Sequence, residues 1–185
     1  NHYLKQSIEI AQRIQAQQQY GRALLLQSRV AIFSSQPELA KVYLSQALTV
    51  ADALQDEYLR AMVVRNLSTV AGMTSDFEMA EQYSRSLLEY AEQKRHRELI
   101  GVALRNLSGS LAMRGEIEQA ERYARRGLEI AKEIGNLEHA SGIYLNLGVM
   151  ATSKKMWQKA LEYTLEALPL ARQMGTPERL RSTLA

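Results

Sequence analysis

The sequence has no cysteine in 185 residues, which excludes a disulfide framework, a thiolate metal site and a cysteine nucleophile, and suits a reducing compartment. Proline is scarce at three and glycine at ten, too few for the turns of a many-stranded sheet. No run approaches the roughly eighteen consecutive apolar residues of a membrane span, and no apolar signal segment opens the chain. Charge of one sign is also lacking. The 23 basic and 20 acidic groups leave a net +3, too little to predict nucleic-acid binding. Sixteen arginines against seven lysines hint only at carboxylate or phosphate contacts. What is present is 46% apolar and 23% charged residues, an ordinary globular composition long enough to bury a core, and it argues for helices.

The strongest pattern is a repeat. Ala40, Ala80, Ala120 and Ala160 fall forty residues apart, and three positions after each stand Tyr43, Tyr83, Tyr123 and Tyr163. Leu48, Leu88, Leu128 and Leu168 follow at eight, and Ala51, Ala91, Ala131 and Ala171 at eleven. Tyr3, Ile8 and Ala11 extend the frame backwards. Upstream lie Leu67, Leu107 and Leu147, with the small residues Ser28, Ser68, Ser108 and Gly148 in the next column and Gln27 breaking the leucine series. Agreement at so many columns identifies an array with a forty-residue period.

Each period holds two helical patterns. In 117–134 the residues Ala120, Tyr123, Ala124, Gly127, Leu128, Ala131 and Ile134 form one stripe at alternating spacings of three and four. Gly135 and Gly175 stand where helices would end in a left-handed residue. Ser35 with Glu38, and Ser75 with Glu78, read as capping boxes, and Thr176 before Pro177 as a further start. The expected helices are 2–17, 20–33, 37–54, 58–73, 77–95, 98–113, 117–134, 138–153, 157–174 and 177–185, about ten in all. The Ala, Tyr and Leu columns are expected to be core. One helix pair cannot bury its stripe alone, so successive pairs must stack.

The columns resemble the tetratricopeptide (TPR) repeat. Asn146, Leu147, Gly148, Trp157, Ala160, Tyr163, Ala167 and Leu168 match its pattern nearly residue for residue, and 105–131 matches it well. The period departs from the family's usual length of about 34. Such long repeats are similar to those of the bacterial Rap and PlcR peptide-pheromone receptors, MalT-type regulators, kinesin light chain and the Leu-Gly-Asn spindle adaptor. Repeat one departs further, with Leu26 and Gln27 where the others have Asn-Leu. The resemblance implies an all-α fold: a right-handed α-solenoid of antiparallel helix pairs across 1–185. Its parts would be a half-repeat 1–17, repeats of about 18–56, 57–96, 97–136 and 137–175, and a half-repeat 176–185. Half-repeats at both ends lead us to expect a longer parent protein.

The same resemblance implies that the first helix of each pair lines a concave groove. It places Met62, Arg65, Asn66, Thr69 and Met73 there, then Val102, Arg105, Asn106, Gly109 and Met113, then Leu145, Asn146, Val149 and Ser153. Asparagine is a poor mid-helix residue, so Asn66, Asn106 and Asn146 in one column need a reason. Either the carboxamides grip a peptide backbone, as in several peptide-binding relatives, or they bond the neighbouring helix and hold the stack. Arg65, Arg105 and Arg29 either lie solvated or receive carboxylates, which would select an acidic ligand or a free C-terminus. Met62, Met73 and Met113 would give an adaptable apolar lining. Arg122, Arg125 and Arg126 fall on a second helix, on the outer face, either as a solvated cluster or as contacts for nucleic acid or an acidic partner.

Catalysis finds little support. His2, His96 and His139 have no ligand spacing, and Gly101, Gly109 and Gly115 form no phosphate loop. Glu78, Glu118 and Glu138 stand at helix starts, where the dipole accounts for them. The expectation is therefore a non-enzymatic module without catalytic residues, metal or cofactor. It would bind a protein or peptide and serve a cytoplasmic signalling or transcription regulator. No membrane partner and no direct nucleic-acid contact are expected. The rival reading is a structural scaffold that works through self-association as a homo-oligomer.

Overall fold

The computed structural model describes residues 2–173, with side chains placed from residue 13 onward. It contains eight helices among the described residues: α1 (His2–Phe33), α2 (Pro37–Leu54), α3 (Glu57–Met73), α4 (Phe77–Gln93), α5 (Arg97–Met113), α6 (Ile117–Glu133), α7 (Leu137–Ser153) and α8 (Trp157–Gln173). The expected helix 177–185, its start at Thr176–Pro177, the stop at Gly175 and the columns at Tyr3, Ile8 and Ala11 lie outside these residues or their described side chains.

From α3 onward every helix has seventeen residues and starts twenty after the last. A left-handed residue marks each turn at the same interval: Ser35, Gln55, Ser75, Arg95, Gly115, Gly135 and Lys155. Each closes the preceding helix. At the first turn Gln36 N–H reaches back to Ala31 O at 2.8 Å and Ser35 N–H to Ile32 O at 3.0 Å, satisfying carbonyls the helix end would leave bare. The residue after it opens the next helix. Asp56, Asp76 and Asn136 accept from the backbone N–H three residues on, at 2.9, 3.1 and 3.0 Å. The sequence repeats every forty residues, but the backbone repeats every twenty.

Two expectations need correction. The segments 2–17 and 20–33 are one continuous helix. The twenty-residue frame would put a turn at Ile14–Gln15–Ala16, and the chain stays helical through it. Gly21, inside that helix, serves a close approach instead: a Cβ there would lie 2.6 Å from Leu59 Cδ2. Ser35 and Ser75 are not N-caps. Both adopt left-handed φ, at 54° and 59°, and the cap falls one residue later.

The chain divides into two compact units, 1–75 and 76–185. In the first, α1 and α2 pair antiparallel and α3 packs against both, around Leu24, Ala31, Ala40, Leu44, Ala47, Val63 and Val70. In the second, α4–α8 pack in sequence around Leu111, Ala120, Ala124, Ile143, Leu147, Met150 and Ala167. The alanine column is buried through Ala120, while its tyrosines and leucines are half-buried, covering the core from its margin. Small residues set the spacing: a Cβ on Gly127 of α6 would come 3.0 Å from Ile143 Cδ1 of α7.

Candidate functional site

The ten residues implicated by sequence divide between the units. Arg29, Met62, Arg65, Asn66, Thr69 and Met73 lie in the first, and Arg105, Asn106, Met113 and Asn146 in the second. In the first unit Asn66 is buried, and its Nδ2 donates to Ser28 Oγ of α1 at 3.1 Å. Ser28 Oγ in turn donates to Leu25 O at 2.7 Å. Arg65 Nε donates to Asn66 Oδ1 at 3.4 Å. Met62 and Thr69 are half-buried, Met73 is exposed, and Arg29 is exposed without an ion pair among the described residues.

The second unit repeats the motif with one difference. Asn146 Nδ2 donates to Ser108 Oγ at 2.8 Å and to Arg105 O at 3.0 Å, while Ser108 Oγ donates to Arg105 O at 2.8 Å. Asn146 is only half-buried, and its Oδ1 accepts no bond among the described residues. Gly109 lets it sit close: a Cβ there would lie 3.4 Å from Asn146 Nδ2. Asn106 is half-buried too. The asparagine column thus ties Asn66 to Ser28 and Asn146 to Ser108, each serine thirty-eight residues back, so at these two positions it holds neighbouring first helices together.

Arg105 is half-buried. Its stem crosses Gly142 of α7, where a Cβ would meet Cδ at 3.0 Å, and its Nη1 stands 3.8 Å from Glu138 Oε1. Sequence reasoning missed both partners. The signal was available in Gly142, since glycine inside a helix costs about 1 kcal/mol relative to alanine and asks for a packing reason as asparagine does. Met113 and Val149 are exposed on α5 and α7.

Of the outer arginines, Arg122 and Arg125 stand exposed. Arg126 Nη2 contacts Glu92 Oε1 at 2.5 Å. Arg85 donates to Glu81 and, at 3.2 Å, to Tyr123 Oη, and the bond to Glu81 raises the pKa of Arg85 above its ordinary value. Arg114 also reaches Glu81. Near the turns that precede α5 and α7, an open cleft of about 880 Å³ is lined by Lys94, Arg95, His96 and Arg97 on one side and by Asn136 and Glu138 on the other. No group of three metal-ligating side chains occurs among the described residues, and no described helix is long and apolar enough to cross a membrane.

Against known proteins, no family model and no curated protein matches the sequence. Among solved structures, the fold is similar to that in the crystal structure of aspartyl phosphate phosphatase F from Bacillus subtilis. The TM-score is 0.71 at 18% identity, over 92% of this chain and 44% of that one. The fold is a TPR-like helical repeat. The chain spans less than half the length of the Bacillus protein. Within the TPR-like frame, α3, α5 and α7 are first helices and α2, α4, α6 and α8 second helices.

Proposed function

We propose that this TPR-like chain is a protein- or peptide-binding module with no catalytic role of its own, the sensor or regulatory part of a larger cytoplasmic signalling or transcription regulator. The observation that carries the reading is the row on α5 and α7. Asn146 is pinned by its amide nitrogen, with exposed Val149 three residues on along α7 and exposed Met113 seven residues past Asn106 on α5. A carboxamide held this way is an oriented acceptor for a peptide N–H, and these apolar side chains offer contact to an extended segment. Arg105, whose Nη1 lies 3.8 Å from Glu138, is placed to favour a ligand carboxylate that can make the closer, bidentate contact. Arg65 has the corresponding position on α3. A protein partner also accords with the name of the Bacillus subtilis neighbour, since an aspartyl phosphate is a modified protein side chain.

Panning a peptide library tests this. Val149→Asp and Met113→Asp, both at exposed positions, should each weaken selected peptides at least about ten-fold, the equivalent of roughly 1.4 kcal/mol. Arg105→Gln should relax any preference for acidic sequences. Binders indifferent to all three substitutions would remove the α5–α7 row from the function.

A further inference from the structure

The turn from α6 into α7 and the last turns of α8 border a cavity of about 290 Å³, at the low end of the range for small-molecule pockets. Ala131, Ala140 and Tyr144 are buried around it, and Leu137 and Leu170 complete an apolar lining. Lys132 and Glu166 line it as well and are exposed, so the two charges stand at its opening.

The preceding junction shows how the cavity arises. Forty residues back, the columns of Ala140, Tyr144 and Leu170 carry Ile100, Leu104 and Ile130, all buried. The columns of Lys132 and Glu166 carry Glu92 and Arg126, whose Oε1 and Nη2 meet at 2.5 Å. Arg97, in the column of Leu137, pairs with Glu133, in the column of Gln173. Two ion pairs and two isoleucines thus tie α4, α5 and α6 together.

Around α7 each of these ties is altered. Leu137 and Gln173 replace one ion pair with two side chains that cannot form one. Ala140 replaces an isoleucine, and Gly135 stands at the rim in the column of Arg95, where a Cβ would meet nothing within 4 Å. The other pair persists with its signs exchanged, yet Lys132 and Glu166 form no ion pair among the described residues. The Lys132 ammonium lies 5.8 Å from the centre of the Tyr144 ring instead.

A cation and an anion at the opening of an apolar cavity are complementary to a ligand that carries both charges beside one hydrocarbon group. Further polar groups are on hand. Tyr144 is 8% exposed, and its hydroxyl makes no hydrogen bond among the described residues. Asn136 accepts the His139 N–H at 3.0 Å through Oδ1, which leaves its Nδ2 to donate. We propose that this cavity binds a small apolar zwitterion of the free α-amino-acid class. Its carboxylate would meet Lys132 and Asn136, its ammonium Glu166, and its side chain Ala140, Tyr144 and Leu170. The volume suits a single amino acid rather than a peptide, so the site is separate in ligand and in place from the α5–α7 row.

Isothermal titration calorimetry of the 185-residue chain with L-leucine and L-phenylalanine tests the proposal. Both should bind at one site with a Kd of about 1 mM or tighter. Glycine, with no side chain for the cavity, should bind at least about ten-fold more weakly. N-acetyl-leucine and leucinamide each lack one charge and should also weaken about ten-fold. Two variants rebuild the preceding junction at this place. Ala140→Ile supplies the side chain that α5 carries and fills the cavity. Lys132→Glu combined with Glu166→Arg recreates the α4–α6 ion pair across the opening. Each should abolish binding at about ten times the wild-type Kd. If Ala140→Ile loses helix by circular dichroism, the double substitution, at two exposed positions, decides alone. A wild type that binds neither amino acid at about 10 mM overturns the proposal. So does leucine binding that survives these variants, or N-acetyl-leucine and leucinamide binding as tightly as leucine.

Discussion

The asparagine junction exists in both units, and the two versions differ in a way that separates holding from binding. In the first unit Asn66 is 4% exposed and both ends of its amide are engaged, by Ser28 and by Arg65. In the second, Asn146 uses the same thirty-eight-residue span to Ser108, yet its oxygen remains open on a half-exposed residue. One sequence column thus serves a closed structural joint in one place and a joint with an unused acceptor in another. Column membership specifies the backbone register, and local burial decides whether capacity is left for a ligand.

The comparison can be pressed hardest on the neighbouring leucines. Leu107 is fully buried while Leu67, in the same column, is half-buried. Leu107→Ala should cost roughly 2–5 kcal/mol, the range for large-to-small core changes, and Leu67→Ala less than about 2 kcal/mol by the area it hides. Urea denaturation followed by circular dichroism measures both. Equal losses would erase the distinction between the columns of the two units.

A smaller effect probes the amides themselves. Asn66→Ala strips a buried serine hydroxyl of its partner and should cost roughly 1–3 kcal/mol. Asn146→Ala should cost about 1 kcal/mol, because water reaches the vacated groups. The same titration reads the ordering, and a reversed order would make Asn146 the tighter joint.

The mildest test concerns the turns. Lys155 holds a left-handed φ of 56° where Gly135 occupies the equivalent turn of the second unit without penalty. Lys155→Gly should therefore stabilise by roughly 0.5–1 kcal/mol. The control is Gly135→Ala, expected to destabilise by a similar amount. Thermal unfolding of the pair would show whether a left-handed lysine strains its turn relative to a left-handed glycine.

The helices from α2 to α8 were legible because their columns and polar turns coincide, so periodicity and caps agree. The merger of 2–17 with 20–33 was hidden because the twenty-residue frame predicts a turn at Ile14–Gln15–Ala16 that the chain does not make. Ser35 and Ser75 misled for a related reason: serine suits an N-cap, and only the backbone reveals that the left-handed site comes first. For the candidate site, the recurrence of Asn66, Asn106 and Asn146 pointed to a shared task, and the two roles weighed for it were both chemically sound. Choosing between them needed the position of Ser28 and Ser108 across the helix interface. Glu138 and Gly142 were invisible as partners of Arg105, since pairing thirty-three and thirty-seven residues away depends on how the pairs stack.

The ties between one repeat and the next have a kinetic consequence. Asn66 to Ser28, Asn146 to Arg105, Arg85 to Tyr123 and Lys154 to Glu121 all link residues 33 to 41 positions apart. A chain whose stabilising contacts reach only one period along the sequence has low contact order and pays little loop-closure entropy before each contact forms. Such a chain can nucleate wherever two adjacent helix pairs first meet and grow outward from there. A ribosome releasing it from the N-terminus would need to expose little more than one period beyond a finished pair before the next could lock in place.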